Sequence, residues 1–162
     1  MIRFRTELAL LSRMFARRAP VLPSDPATAP ITFDMPPQRV LDPKALAEIL
    51  ALEVPGQPSL LTEMMDAFHA ASDAYLVRLR SALRSGDAAS VLDAAHALKG
   101  AAASLGAERV RASALELEIA AREPSLVGAE ERLAVLEIAC EQALAALSEE
   151  AGRGGVRLER QA

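Results

Sequence analysis

The chain holds two histidines, and His96 stands among residues that suit chemistry. With each residue of the stretch 88–105 turned by about 100°, Val91, Ala95, Leu98, Ala102 and Leu105 fall into one apolar stripe. His96 lies well away from that stripe, with Gly100, Ala103 and Ser104 on its side and Lys99 at its flank. A solvent face normally carries Glu, Lys or Gln, whereas this one is small and nearly uncharged. Gly100 inside a helix costs about 1 kcal/mol relative to Ala. Close approach of another molecule is the physical reason to accept that cost. A neutral imidazole near its ordinary pKa of ~6.5 is nucleophilic at neutral pH. Lys99, three residues on, can set a cation beside whatever the ring acquires. An exposed imidazole, a nearby ammonium and an unshielded approach together suit acceptance of a phosphoryl group. The Ser104 hydroxyl has two readings, a hydrogen bond to a phosphate oxygen or a local bond within the helix.

The elements that must position this face are helices. Ala and Leu supply 34 and 24 of the 162 residues, while Val, Ile and Thr total only 18. Ala and Leu lose little on entering a helix, and the β-branched residues are the sheet formers. Asp42 followed by Pro43 starts a short helix to about residue 52, which Pro55 and Gly56 end. Pro58 opens the next helix, with Leu61, Met65, Phe68, Ser72, Tyr75, Leu79 and Leu83 on its inner face, a stripe broken only by Ser72. Gly86 caps it and Asp87 caps the start of the His96 helix, 88–105, which Gly106 terminates. A further helix is predicted over 107–123, stopped by Pro124, and a last one over 128–149 with Leu133, Leu136, Cys140, Leu144 and Leu147 inward. The spacing therefore predicts an all-α fold, an antiparallel four-helix bundle with a short additional N-terminal helix capping one end. The bundle is expected over 41–150. Gly152, Gly154 and Gly155 predict a frayed tail over 151–162.

Ahead of the bundle, residues 1–18 carry five Arg and one Glu, and Phe4, Leu8, Leu11 and Phe15 recur at helical spacing. The remaining chain carries 13 basic and 21 acidic residues, so the charge is polarised within a net of -4. Residues 1–18 read either as a tail or as a basic amphipathic helix for a membrane surface or a partner. The apolar face is short and a single weak anchor rarely holds a protein, which argues against membrane contact. Six prolines between 20 and 37 make the following segment an extended linker, and the domain boundary is expected near residue 40.

Composition excludes several classes. The acidic balance argues against a general nucleic-acid binder. One cysteine, Cys140, rules out an internal disulfide and a cysteine zinc cluster, and two histidines add too little for a structural metal site. The sequence has no Asn, hence no N-glycosylation sequon. No apolar run reaches the ~18 residues of a spanning helix. Cys140, Met64 and Met65 read as core residues, and His69, beside Phe68, as a boundary residue.

The segment AHALKGAAASLGA, residues 95–107, resembles the signature of histidine-containing phosphotransfer (HPt) domains, AHxLKGxxxxLGA. LRSALRSGD, residues 79–87, looks like that family's turn into the active helix, and ALELEIAAR, residues 114–122, like its next helix. The resemblance covers about residues 41–149. It implies a phosphorelay protein that accepts a phosphoryl group on His96 from a receiver-domain aspartate and passes it to another receiver. Lys99 is then the phosphate-supporting cation, with Ser104 as a second support. Leu92, Gly100 and Ala103 form the receiver-docking surface. The hydroxyl residues common after His and after Gly in the family are alanines here, Ala97 and Ala101. The partners implied are response-regulator receiver domains or a hybrid histidine kinase. The resemblance implies no cofactor or metal of the chain's own and Mg²⁺ on the partner. No GxxxxGK[ST] loop is present, and the ATP-binding fold of a histidine kinase needs an Asn-bearing helix. A cytoplasmic, monomeric phosphocarrier without kinase activity is therefore expected. The alternative is a helical adaptor that binds receivers or kinases without carrying phosphate, and the intact set of His96, Lys99 and Gly100 argues against it.

Overall fold

The computed structural model describes residues 39–54 and 56–159, with side chains to residue 153. The basic segment 1–18 and nearly all of the proline-rich linker lie outside the described residues. Five helices are described: α1 Pro43–Ala51, α2 Leu60–Ser85, α3 Ala88–Leu105, α4 Glu108–Ala120 and α5 Ala129–Glu159. No strand occurs among the described residues.

Each helix begins and ends for a local reason. Asp42 accepts from the Lys44 N–H at 2.9 Å and caps α1, with Pro43 in its first turn. Ser59 caps α2 through the Thr62 N–H, so that helix starts two residues after Pro58. Glu53 adds a second acceptor at this end, taking the Ser59 hydroxyl at 2.8 Å and the Leu61 N–H at 3.1 Å. Asp87 caps α3 through the Ser90 N–H at 3.0 Å. Gly86 and Gly106 take left-handed conformations at the ends of α2 and α3. There the N–H groups of Asp87 and Ala107 reach back to the Ala82 and Ala102 carbonyls at 2.9 Å each.

Two predicted ends are corrected. Helix α4 stops at Ala120 rather than residue 123. The residue before a proline is pushed out of helical geometry, so Pro124 disturbs Glu123. The Arg122 and Glu123 N–H groups bond instead to the carbonyls three residues back, Ile119 and Ala120. Helix α5 continues to Glu159 rather than ending at 149. Its glycines each cost about 1 kcal/mol in a helix interior, but no proline follows to remove a backbone donor.

The short turns at Gly86 and Gly106 fold α2, α3 and α4 back on one another. Helix α3 packs on α2 and α4, and α5 closes the ring by packing on α4 and α2. The predicted stripes form the core. Val91, Ala95, Leu98, Ala102 and Leu105 of α3 are buried, as are Leu61, Phe68 and Leu79 of α2 and Leu133, Leu136, Cys140 and Leu147 of α5. Met65, Tyr75, Leu83 and Leu144 pack at its margin. Ser72 is buried, and its hydroxyl donates to the His69 carbonyl at 2.9 Å. Helix α1 touches α2 and α3. The Asp42 N–H donates to the Gly106 carbonyl at 2.7 Å, which fixes the start of α1 on the α3–α4 turn. A Cβ on Gly106 would stand 2.7 Å from that of Ala45, so this contact needs glycine for space as well as for its φ of +69°.

Candidate functional site

His96 projects from the middle of α3 with 67% of its side chain exposed. The residues at i−4, i+4 and i+7, Leu92, Gly100 and Ala103, share its face of the helix. Leu92 is half-buried, and Gly100 and Ala103 are exposed. A Cβ built on Gly100 would meet nothing within 4 Å. Access to the ring from the C-terminal side of α3 is therefore open.

The ring's other side rests on α4. His96 Nδ1 lies 3.3 Å from Glu118 Oε1. Lys99 Nζ donates to Glu118 Oε2 at 2.5 Å, and Arg122 Nη2 donates to Oε1 at 2.5 Å. Glu118 is only 3% exposed. Burying a carboxylate is costly unless charge partners and hydrogen bonds compensate. Here the Lys99 hydrogen bond, with those of Arg122 and His96, outweighs the desolvation and holds the carboxyl at about 2. Glu118 is thus ionised at neutral pH and can only accept hydrogen bonds. Its oxygen facing Nδ1 therefore requires the proton on Nδ1. In the neutral ring this leaves the lone pair on Nε2, the nitrogen turned away from Glu118.

The predicted residues come together unequally. His96 and Lys99 meet through Glu118, although Lys99 does not stand free beside the ring. Its side chain is 25% exposed and its ammonium is engaged. Ser104 is two turns, about 12 Å of helix rise, from His96. Its hydroxyl donates to the Gly100 carbonyl at 3.3 Å. Helical side chains lean toward the N-terminus, so the imidazole leans away from Ser104. Glu118 and Arg122 were not singled out from sequence. A signal for Glu118 existed: it falls four residues after Ala114 and three before Ala121, both buried, so a charge occupies a core position of α4. Arg122, four residues after Glu118, completes an i,i+4 acid–base pair.

Among the described residues no group of three His, Cys, Asp or Glu is placed to hold a metal ion. No helix among them is long and apolar enough to cross a membrane.

The described residues thus form a helical bundle that presents an imidazole outward at mid-helix, backed by a buried acid and two cations. The Hpt domain family profile matches residues 63–150, more than half of the chain, and the protein belongs to that family. Its role is histidine phosphotransfer in a phosphorelay, and receiver domains and histidine kinases are its class of partner. The chain is also similar to the crystal structure of histidine-containing phosphotransfer protein B (HptB) from Pseudomonas aeruginosa PAO1. That match has a TM-score of 0.63 at 26% identity and covers 70% of this chain and 96% of that one. No curated protein matches by sequence.

Proposed function

We propose that His96 Nε2 is the atom that carries the phosphoryl group, taking it from a receiver aspartyl phosphate and yielding it to a second receiver. The observation that carries this reading is the contact of Nδ1 with the ionised carboxylate of Glu118 on a ring that is otherwise exposed. In the forward step the Nε2 lone pair attacks phosphorus in line. The N–P bond forms as the acyl P–O bond breaks, and the aspartate leaves with the bonding electrons. The Nδ1 proton stays in place, so the ring becomes a phosphoimidazolium whose positive charge faces Glu118. In the return step a receiver carboxylate attacks phosphorus, and the N–P electrons go back to Nε2.

Charge accounting supports the direction of these roles. At rest Lys99 and Arg122 exceed Glu118 by one positive charge. A phosphoryl dianion on an imidazolium adds one net negative charge, so the loaded cluster is neutral. Glu118 gains a cation to face just as the charge develops, which is the preorganised stabilisation that favours transfer. Leu92, Gly100 and Ala103 form the docking flank, and the open space at Gly100 lets the receiver's acidic pocket approach the ring. The Mg²⁺ that neutralises the transferring group belongs on the receiver, since both oxygens of Glu118 are committed to cations. We read the chain as a phosphocarrier whose phosphoryl source is an aspartyl phosphate rather than ATP, working in the cytoplasm. The ring of four helices closes within one chain, which supports a monomer.

The test is phosphoryl transfer from a phosphorylated receiver to the wild-type protein and to His96→Gln. An acid-labile, base-stable label on the wild type alone is the expected result. Equal labelling of a folded His96→Gln protein would overturn His96 as the acceptor. An unlabelled wild type would favour an adaptor.

A further inference from the structure

The large apolar side chains that the bundle leaves in solvent are unevenly placed. Among the described residues of α2 to α5 they are Val77 on α2, Ile119 on α4, and Val135 and Ile138 on α5, between 46% and 61% exposed, while α3 has none. All four are β-branched, a type that helices disfavour and that gains little here from burial.

Ile119, Val135 and Ile138 line one groove. Arg109 Nη1 donates to Gln142 Oε1 at 2.5 Å and sets the register of α4 against α5. The two helices run antiparallel across their short connection, so Glu116 stands across from Val135 and Ile119 across from Glu131. Arg109, Ala112, Glu116 and Ile119 recur at helical spacing on α4, as do Glu131, Val135, Ile138 and Gln142 on α5. Ala112, only 7% exposed, forms the floor. The groove is turned away from His96. Glu118 and Ile119 are consecutive, so their side chains leave α4 about 100° apart, Glu118 toward α3 and Ile119 toward α5.

The rim of the groove is acidic. Glu116, Glu131 and Glu141 border it and make no ion pair among the described residues. Between 129 and 149, α5 carries five Glu against one Arg. This charge selects the occupant. A second copy of the chain would bring like rows of carboxylates together, and an anionic lipid surface would be repelled in the same way. A helix with an apolar stripe bordered by Arg or Lys satisfies both the groove and its rim.

We propose that the α4–α5 groove is a second docking surface, which takes a basic amphipathic helix of a partner protein while His96 stays open to receivers. Such a partner would hold the phosphocarrier in place without occupying its reactive face. The proposal does not rest on His96 being the acceptor.

The test uses the full chain and a fluorescent synthetic helix of leucine and arginine, with leucine at i, i+3, i+4 and i+7. A peptide of the same composition in scrambled order is the control. Binding is read by anisotropy, and the site by amide shifts in NMR spectra. The amphipathic peptide should bind at least tenfold more tightly than the scrambled one and shift the amides around Ile119, Val135 and Ile138. Ile138→Arg, which loses an apolar contact and adds a like charge, should weaken binding at least tenfold. If Ile138→Arg does not fold, Ile138→Gln carries the comparison. Glu131→Gln with Glu141→Gln should weaken binding and flatten its salt dependence. His96→Gln should bind as wild type does, and saturating peptide should leave phosphoryl transfer from a receiver unchanged. Equal binding of the scrambled peptide, or of a folded Ile138 variant, would overturn the proposal. So would blocked transfer in the presence of peptide. Dimers in light scattering, or pelleting with anionic vesicles, would assign the groove to a second copy or a membrane if Ile138→Arg abolished them, and would overturn it as well.

Discussion

Replacing Glu118 with glutamine keeps the outline of the side chain and removes its charge, which separates what the carboxylate does for stability from what it does for chemistry. Its carboxyl titrates at about 2 against an ordinary 4.5. That difference corresponds to roughly 3–4 kcal/mol at most, because each unit is worth ~1.4 kcal/mol. The three basic partners are 25%, 54% and 67% exposed, so water replaces part of what they lose. A stability loss of about 1–2 kcal/mol at neutral pH is expected, measured by chemical denaturation. The chemical cost is separate. A charge-assisted hydrogen bond to the developing imidazolium is worth ~1.5–3 kcal/mol, or roughly 10- to 150-fold in rate. The glutamine amide can also donate to Nδ1, which would put the ring proton on Nε2 and block the nucleophile. Glu118→Gln should therefore slow phosphoryl uptake from a saturating phosphorylated receiver by at least tenfold. Nitrogen NMR of the imidazole should show the loss of the Nδ1–H tautomer. A variant that takes up phosphate at the wild-type rate, with Nδ1–H still dominant, would refute the claim that Glu118 sets the state of the ring.

Three further outcomes follow from geometry already described. Because Glu118 titrates lower in the fold than in the unfolded chain, its contribution is present above about 4.5 and is lost as pH falls toward about 2. Wild type should lose stability in that window and Glu118→Gln should lose less, as read by denaturation at stepped pH. A Cβ at position 100 meets no neighbour and glutamine gains helix propensity over glycine, so Gly100→Gln should leave the melting temperature unchanged or higher while slowing transfer from the receiver; unimpaired transfer would remove Gly100 from the docking flank. Gly106→Ala and Gly86→Ala impose the same left-handed strain, about 1 kcal/mol, but only the first drives a Cβ to 2.7 Å from another. Gly106→Ala should therefore lower the melting temperature clearly further than Gly86→Ala in paired thermal melts.

The bundle was legible because its signals are local and repeated. Caps at Asp42, Asp87, Gly86 and Gly106 delimit the helices, and the apolar stripe through Val91, Leu98 and Leu105 orients α3 by periodicity alone. His96, Gly100 and Ala103 could be placed outward for the same reason. What periodicity cannot supply is the neighbour across the groove. Lys99 was expected beside the ring, yet it turns to Glu118, since a buried carboxylate attracts the nearest ammonium more strongly than solvent does. Ser104 shares the outward side of His96 on a helical projection, but the projection discards the rise that separates them. The end of α5 was misplaced because glycine is a weak stop signal when no proline follows it.

The bond between the Asp42 N–H and the Gly106 carbonyl fixes where the preceding chain joins the bundle. From Gly106 to His96 is ten residues of helix, about 15 Å. The seat of α1 is therefore joined to the site through one continuous helix, and a change that lifts Asp42 from Gly106 acts on the end of the same element that carries His96.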